Sequence, residues 1–291
     1  DGNAAGAATI SSLADNEGAD MNAVLLTDVN FVQGDFGNDT ISPTAGAVFD
    51  SSGNVMGAIS RIITSPVSFY TFLGSGGSDS PGGIVSTADG GYVVTGWAFS
   101  NIATLGGQVP LNAFSGGPDI LVVKLTAAAT ISWYTFLGGS GTELTYAVAP
   151  TNDGGFILSG ISTENIASLG GQSPRQSFSG SNNIVVIKLT SAGSIDWYTF
   201  VGNSLDTGNG QPGVQQLTDG GYVLGGTAQM NIASMSGKTP KNPFSLGNDF
   251  LIAKLDNTGS LVWYTFLGSN AFDALFAIKA TTDGGFILTG G

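Results

Sequence analysis

The chain has no cysteine and no histidine, and only eight of its 291 residues are lysine or arginine. Each shortage excludes a class of chemistry. Without His or Cys there is no Ser-His-Asp or Cys-His nucleophile pair, no thiolate zinc site, no His-ligated haem and no disulfide framework. Carboxylates, amides, hydroxyls and the backbone are left to do whatever the protein does. With 21 acidic residues against eight cations, the formal charge of −13 repels a phosphate backbone, so nucleic acid is not an expected partner. Long hydrophobic runs are missing as well. The strongest, such as Ile184 to Ile187, have the length of a strand and fall far short of the ~18 apolar residues of a membrane helix. The sequence opens at Asp1 with no charged and apolar leader, which fits a removed signal peptide and a trimmed chain equally.

Apolar residues, aromatics and glycine are plentiful. A chain that is 42% hydrophobic and only 10% charged has the composition of a protein with a sizeable core rather than of a disordered one. The aromatics and glycines recur with a period of about 64 residues. The segment Trp133 to Gly138 (Trp-Tyr-Thr-Phe-Leu-Gly) returns at Trp197 to Gly202, at Trp263 to Gly268, and at Phe69 to Gly74 with Phe in the first place; its tyrosines are 64, 64 and 66 residues apart. An Asp-Gly-Gly-Tyr/Phe element starts at Asp89, Asp153, Asp219 and Asp283, and a degenerate version places Asp28 in the same series. Asn-Ile-Ala stands at Asn101, Asn165 and Asn231, followed each time by a Pro (Pro110, Pro174, Pro240) and a Phe four residues later (Phe114, Phe178, Phe244).

A fixed period constrains the fold class more firmly than local propensity does. One period reads as four strands, Ile120 to Leu125, Ile131 to Leu137, Leu144 to Ala149 and Gly155 to Gly160, each rich in β-branched and aromatic residues and bounded by turn residues. Three of the links are short turns, in which Gly supplies φ > 0 and Asp bonds its own turn; the fourth, Ser162 to Asn183, is long. The expected unit is therefore a four-stranded antiparallel meander. One such sheet cannot cover both its faces, and equivalent sheets packed face to face about an axis make a β-propeller, with Trp133, Tyr134, Phe136 and Phe156 filling the gaps. The predicted fold class is all-β, a β-propeller of four-stranded antiparallel blades. Whole blades are expected at residues 55–98, 119–161, 183–228 and 249–290, and residues 1–54 form an N-terminal segment with a surplus hairpin at 23–34. That surplus could close the ring in a shared blade, pair with a neighbouring subunit by strand addition, or belong to a larger propeller.

Lys124-Leu125, Tyr134 to Gly139, Ser140-Gly141, Glu143 and Asp153 to Phe156 together resemble the repeat of the bacterial SBBP (seven-bladed β-propeller) family and related Asp-Gly-Gly-Tyr repeats of secreted and surface proteins. The match covers residues 55 to 291, with a longer connector than is usual there. The resemblance implies a propeller in an exported, extracellular or cell-surface protein without assigned enzymatic activity, and it brings no catalytic residues.

Acidic residues recur after each aromatic strand, at Asp79, Glu143, Asp206 and Asp273. A solvated turn residue is the first reading of that position and a weak Ca²⁺ ligand the second, since hard cations take oxygen ligands but a four-fold ring separates its members. No other cofactor is expected. Asp206 falls in the one irregular loop, Gly202 to Gly213. Half of the cations, Arg61, Lys124, Lys188 and Lys254, occupy one repeat position beside apolar residues. The position suits ion pairs with the repeated aspartates Asp89, Asp153 and Asp219 better than a basic ring for an anion, because a half-buried Lys is costly unless partnered. Trp133, Trp197 and Trp263, and Asp283 with the other Asp-Gly-Gly aspartates, are expected to be structural. Glycoside hydrolysis needs two carboxylates in one pocket, whereas most of these acids obey the repeat; an acid such as Asp206 or the off-repeat Asp196 would have to serve in that less favoured reading, a carboxylate-based glycan hydrolase. The expected function is a non-enzymatic binding scaffold for a protein or glycan, with a structural subunit of a surface layer, sheath or filament as the alternative.

Overall fold

The structure is a computed structural model that describes residues 73–203, 205 and 212–291, together with four short strands before them. The chain divides into two compact units, Asp1–Phe69 and Tyr70–Gly291. In the first unit β1 (Ile10–Asp15) pairs antiparallel with β2 (Ala23–Thr27), and β3 (Thr40–Ile41) with β4 (Arg61–Ile62). The strand at the start of the expected 23–34 hairpin is thus paired upstream with β1; residues 28–34, Asp28 among them, lie outside the described residues.

The second unit is all-β among its described residues, with every strand pair antiparallel. Its first sheet is β5 (Asp79–Ser86), β6 (Tyr92–Ala98), β7 (Asp119–Leu125) and β8 (Ile131–Leu137), in that order. The second is β9 (Glu143–Pro150), β10 (Phe156–Ser162), β11 (Asn183–Leu189) and β12 (Ile195–Val201). The third is β13 (Gly213–Gln216), β14 (Tyr222–Ala228), β15 (Asp249–Leu255) and β16 (Leu261–Leu267), and the last has two strands, β17 (Leu275–Ala280) and β18 (Phe286–Gly290). The expected strands are present within a residue or two at each end, but the blade boundaries 55–98, 119–161, 183–228 and 249–290 are not. The long connector lies inside a sheet, where β10 pairs in full register with β11, and the short link after Leu137 joins one sheet to the next. Loop length misled because antiparallel neighbours usually have short connections; here the connector is itself folded against its own sheet.

The inner strands of this repeat have two buried faces to serve. β7, β10, β11 and β14 are buried at all seven positions, so they read as continuous apolar runs rather than as alternation. The cores lie between sheets: Ile120, Val122 and Leu137 of the first sheet pack with Phe156, Leu158, Val185 and Ile187 of the second. The same layering joins the second sheet to the third, and the third to β17 through Leu217, Val223, Leu275 and Ile278. The first strands carry the succession, β5 against β9, β9 against β13 and β13 against β17. No closed ring of sheets is found among the described residues.

The tryptophans bind each sheet to the next. Trp133 packs on Phe156, Trp197 on Tyr222 and Trp263 on Phe286, with ring centroids 6.4, 5.5 and 6.3 Å apart. Each Trp follows a β-bulge, in which Ser132, Asp196 or Val262 is the extra, exposed residue between the pairs Lys124↔Trp133 and Leu125↔Ile131 or their equivalents. The turn of the next sheet must then come close. At Gly259, with φ +84, an added side-chain carbon would lie 2.5 Å from the Trp197 ring. Trp197 is 2% exposed, so Trp197→Ala is expected to cost about 3–5 kcal/mol in urea unfolding, with unchanged strand content in the folded baseline.

Candidate functional site

The Asp-Gly-Gly turn and the cation two strands later form one module. Lys124 Nζ donates to Asp89 Oδ2 at 2.9 Å, Lys188 Nζ to Asp153 Oδ2 at 2.8 Å, and Lys254 Nζ to Asp219. The ammonium of Lys188 is 2% exposed while its aspartate is 60% exposed, so the pair bridges core and solvent. Lys188 also donates to Leu189 O at 3.0 Å, as Lys124 does to Leu125 O at 2.9 Å. Each aspartate accepts from the second Gly of its turn, Gly91, Gly155 or Gly221, and Asp89 and Asp153 also from a Thr two residues earlier, Thr87 and Thr151. The two glycines differ in purpose. Gly154 holds φ +79, whereas at Gly155 an added carbon would lie 2.2 Å from Leu189 O and 2.5 Å from Lys188 Nζ. Asp283 keeps the Thr281 and Gly285 contacts but has no cation among the described residues. Of Arg61 only the strand is described.

The acids proposed as weak Ca²⁺ ligands close loops. Asp79 accepts the Ser75 N–H, Glu143 the Gly139 N–H and Asp273 the Ser269 N–H, each at 2.7 Å and each four residues upstream. They stand at the head of the first, second and last sheets, and no three acidic side chains converge as a metal site among the described residues. Asp206 lies outside the described residues. Asp196, at its bulge near the start of β12, is exposed.

Sequence reasoning passed over a second series at the start of the third strands. Asp119, Asn183 and Asp249 accept the N–H of Ser115, Ser179 and Ser245 by the same four-residue closure. Their recurrence 64 and 66 residues apart was the available signal. All three are fully buried, and Oδ1 of both Asp119 and Asp249 has no hydrogen-bond partner.

The connectors are braced identically. Tyr134 donates through its hydroxyl to Ile102 O at 2.8 Å, Tyr198 to Ile166 O at 2.6 Å and Tyr264 to Ile232 O at 2.8 Å. Leu105 and Gln108, Leu169 and Gln172, and Met235 and Lys238 exchange paired backbone bonds. The N–H groups of Leu111, Arg175 and Lys241 donate to the carbonyls of Tyr134, Tyr198 and Tyr264, each at 2.9 Å, so the connector lies along the outer edge of the fourth strand and covers it. Between these constant braces the side chains vary: Gln108-Val109-Pro110-Leu111-Asn112, Gln172-Ser173-Pro174-Arg175-Gln176 and Lys238-Thr239-Pro240-Lys241-Asn242. Val109 and Leu111 are exposed, Arg175 Nε donates to Thr258 O at 3.1 Å, and Lys241 Nζ stands 4.7 Å over the Trp263 ring. Three of the four cations outside the strand series thus sit on two connector tips.

The folded unit is an all-β repeat built from antiparallel four-stranded sheets. No family model matches the chain, and no curated protein matches it.

Burial alone would raise the Asp153 carboxyl, but hydrogen bonds from Lys188, Thr151 and Gly155 outweigh it and hold the group down at about 2, against an ordinary 3.8. Hydrogen bonding from Lys254 likewise lowers Asp219. A lowered folded-state pKa gives stability that is present above the ordinary carboxylate range and is lost as pH falls through the folded value. Asp153→Asn is therefore expected to flatten the loss of stability between about pH 4 and pH 2. Asp153→Ala, which leaves the Lys188 ammonium buried with only a carbonyl, should cost about 1–3 kcal/mol at pH 7. Lys188→Met, which leaves an exposed carboxylate, should cost less by the same denaturant titration.

Proposed function

We propose that the chain is part of a β-propeller that acts without enzymatic chemistry, as a secreted or cell-surface scaffold presenting connector tips to a protein or glycan. The observation that carries this reading is the contrast within the connectors: the same tyrosine and backbone braces in all three hold five-residue tips whose side chains change from apolar at Val109 and Leu111 to cationic at Arg175, Lys238 and Lys241. Binding residues held on a rigid frame are the usual arrangement of recognition loops. The sheet succession supports the propeller, and the resemblance to SBBP-type repeats supports an exported location. Ion-pair and loop-closing roles for most of the described acids support the absence of a hydrolytic pair.

The test is a tip exchange. Replacing Lys238 and Lys241 by Ser, which keeps Pro240 and the backbone braces, is expected to leave the thermal midpoint within a few degrees and to weaken binding to an acidic glycan or acidic peptide from an immobilised panel by tenfold or more. Equal binding by both proteins, or no ligand on any panel, would sink the scaffold reading.

The assembly alternative is favoured by one feature. Among the described residues β18 is paired only with β17 and its turn aspartate Asp283 has no cation, unlike its three counterparts, and Ile287 is 59% exposed. Strand addition by a neighbouring molecule at that edge gives a self-associating subunit. Sedimentation at high protein concentration checks it: concentration-dependent growth that Asp283→Lys suppresses is expected, and a strictly monomeric species removes this reading.

A further inference from the structure

Asp119 opens β7 in the first sheet and Glu143 opens β9 in the second, and the backbone ties the two sheets there, Glu143 N–H donating to Pro118 O at 2.8 Å. Both side chains are fully buried. Gly138 lies between them: a side-chain carbon on it would sit 2.3 Å from Asp119 Oδ1 and 2.7 Å from Glu143 Oε2, so the two carboxyl oxygens face one gap. Glu143 has a donor for each oxygen, Gly139 N–H at 2.7 Å and Ser162 Oγ at 2.8 Å. Asp119 Oδ2 accepts from Ser115 N–H at 2.7 Å, and its buried Oδ1 has no donor.

The other charged or titratable groups around this seam do not balance the pair. Glu164, after β10, is a third carboxylate, held by Ser140 Oγ at 2.9 Å. Lys124 of β7 is engaged by Asp89 at the far end of its strand, and Tyr146 of β9 stands edge-on to Trp97. Two carboxylates cannot both stay ionised in such a gap without a counter-charge.

We propose that this seam is locked by one proton held between the Asp119 and Glu143 carboxyls, so that the first two sheets are joined most firmly in mild acid and loosen as the solution becomes neutral to alkaline. The proton comes from solvent and occupies the Asp119 Oδ1 slot, from which it donates to Glu143. Burial pushes the two carboxyls up, Asp119 to about 6 and Glu143 to about 7, with the Glu164 charge adding to both, and the titration belongs to the pair. The next seam shows what a neutral group does in the same place. Asn183 accepts from Ser179 N–H at 3.3 Å and its amide donates to Ser179 O at 2.5 Å, which leaves no oxygen bare. A calcium ion would need about six to eight oxygens, more than two carboxylates can bring. The inference stands on the seam alone and is independent of what the connector tips bind.

A raised folded-state pKa gives stability that is full below the unfolded value and lost as pH rises through the folded one. One proton held by the folded state and released by the unfolded changes the unfolding equilibrium about tenfold per pH unit. The test is urea unfolding of the full chain from pH 5 to pH 8 with chelator present. The wild type is expected to approach that tenfold slope up to about pH 7 and to level off above it. Glu143→Gln and Asp119→Asn should each abolish the slope and unfold less readily than wild type at pH 8, while Asp196→Asn, on the exposed bulge, keeps it. An infrared band of a protonated, buried carboxyl in the wild type at pH 5.5, gone by pH 8, tests the same proton without any substitution. A flat wild-type profile, a slope kept by both seam variants, an absent band, or restoration of stability at pH 8 by millimolar Ca²⁺ would each overturn the proton lock.

Discussion

The structure depends on one constraint: each four-stranded sheet is apolar on both faces and must be covered on both. Ile157 and Val223 are wholly buried because another strand lies outside them and another sheet lies over them. The first condition is met within one sheet, but the second needs a neighbouring repeat. A repeat therefore has no stable existence by itself, and its stability is set by nearest-neighbour contacts. The tryptophans, the bulges that aim them and the glycine turns that receive them are three parts of that contact, and a change in any one disturbs the other two.

Much of this was legible in the sequence, for a physical reason. A strict period forces equivalent environments, so Trp133, Trp197 and Trp263 had to share a role, and so did Lys124, Lys188 and Lys254. The ion pairs with Asp89, Asp153 and Asp219 follow from scarcity of cations and the cost of burying them. The phase of the sheets was not legible. A periodic pattern is unchanged by sliding the frame half a unit, and only the pairing across the long connector, Phe156↔Leu189 through Ser162↔Asn183, decides it. The connector hides its hydrogen bonding because they are backbone bonds, such as Leu111 N–H to Tyr134 O, which leave no mark in residue type.

The candidate sites were less legible still. Asp79, Glu143 and Asp273 were noticed because acids after an aromatic strand look exposed. Asp119 and Asp249 were not, because each precedes a run of apolar residues and reads as the last residue of a loop. Both series perform the same closure with a serine or glycine N–H four residues upstream. Glu143 faces Asp119 across the seam, and that neighbour belongs to a different sheet.

Departures from the repeat are therefore more informative than the repeat itself. Where a position is shared by all copies, as with the tyrosine hydroxyls on Ile102, Ile166 and Ile232, the sheet stack explains it. Where copies differ, packing does not decide the choice. The tips around Val109, Ser173 and Thr239 differ while their braces do not, so within one connector the packing fixes the backbone and leaves the side chains of the tip free to vary. The third-strand position differs too, Asp119 and Asp249 against Asn183, although the loop closure is the same. An amide satisfies that position completely, so the acid at Asp119 adds nothing to closure, and what it adds instead is a buried carboxyl oxygen with no donor, facing Glu143 across the seam.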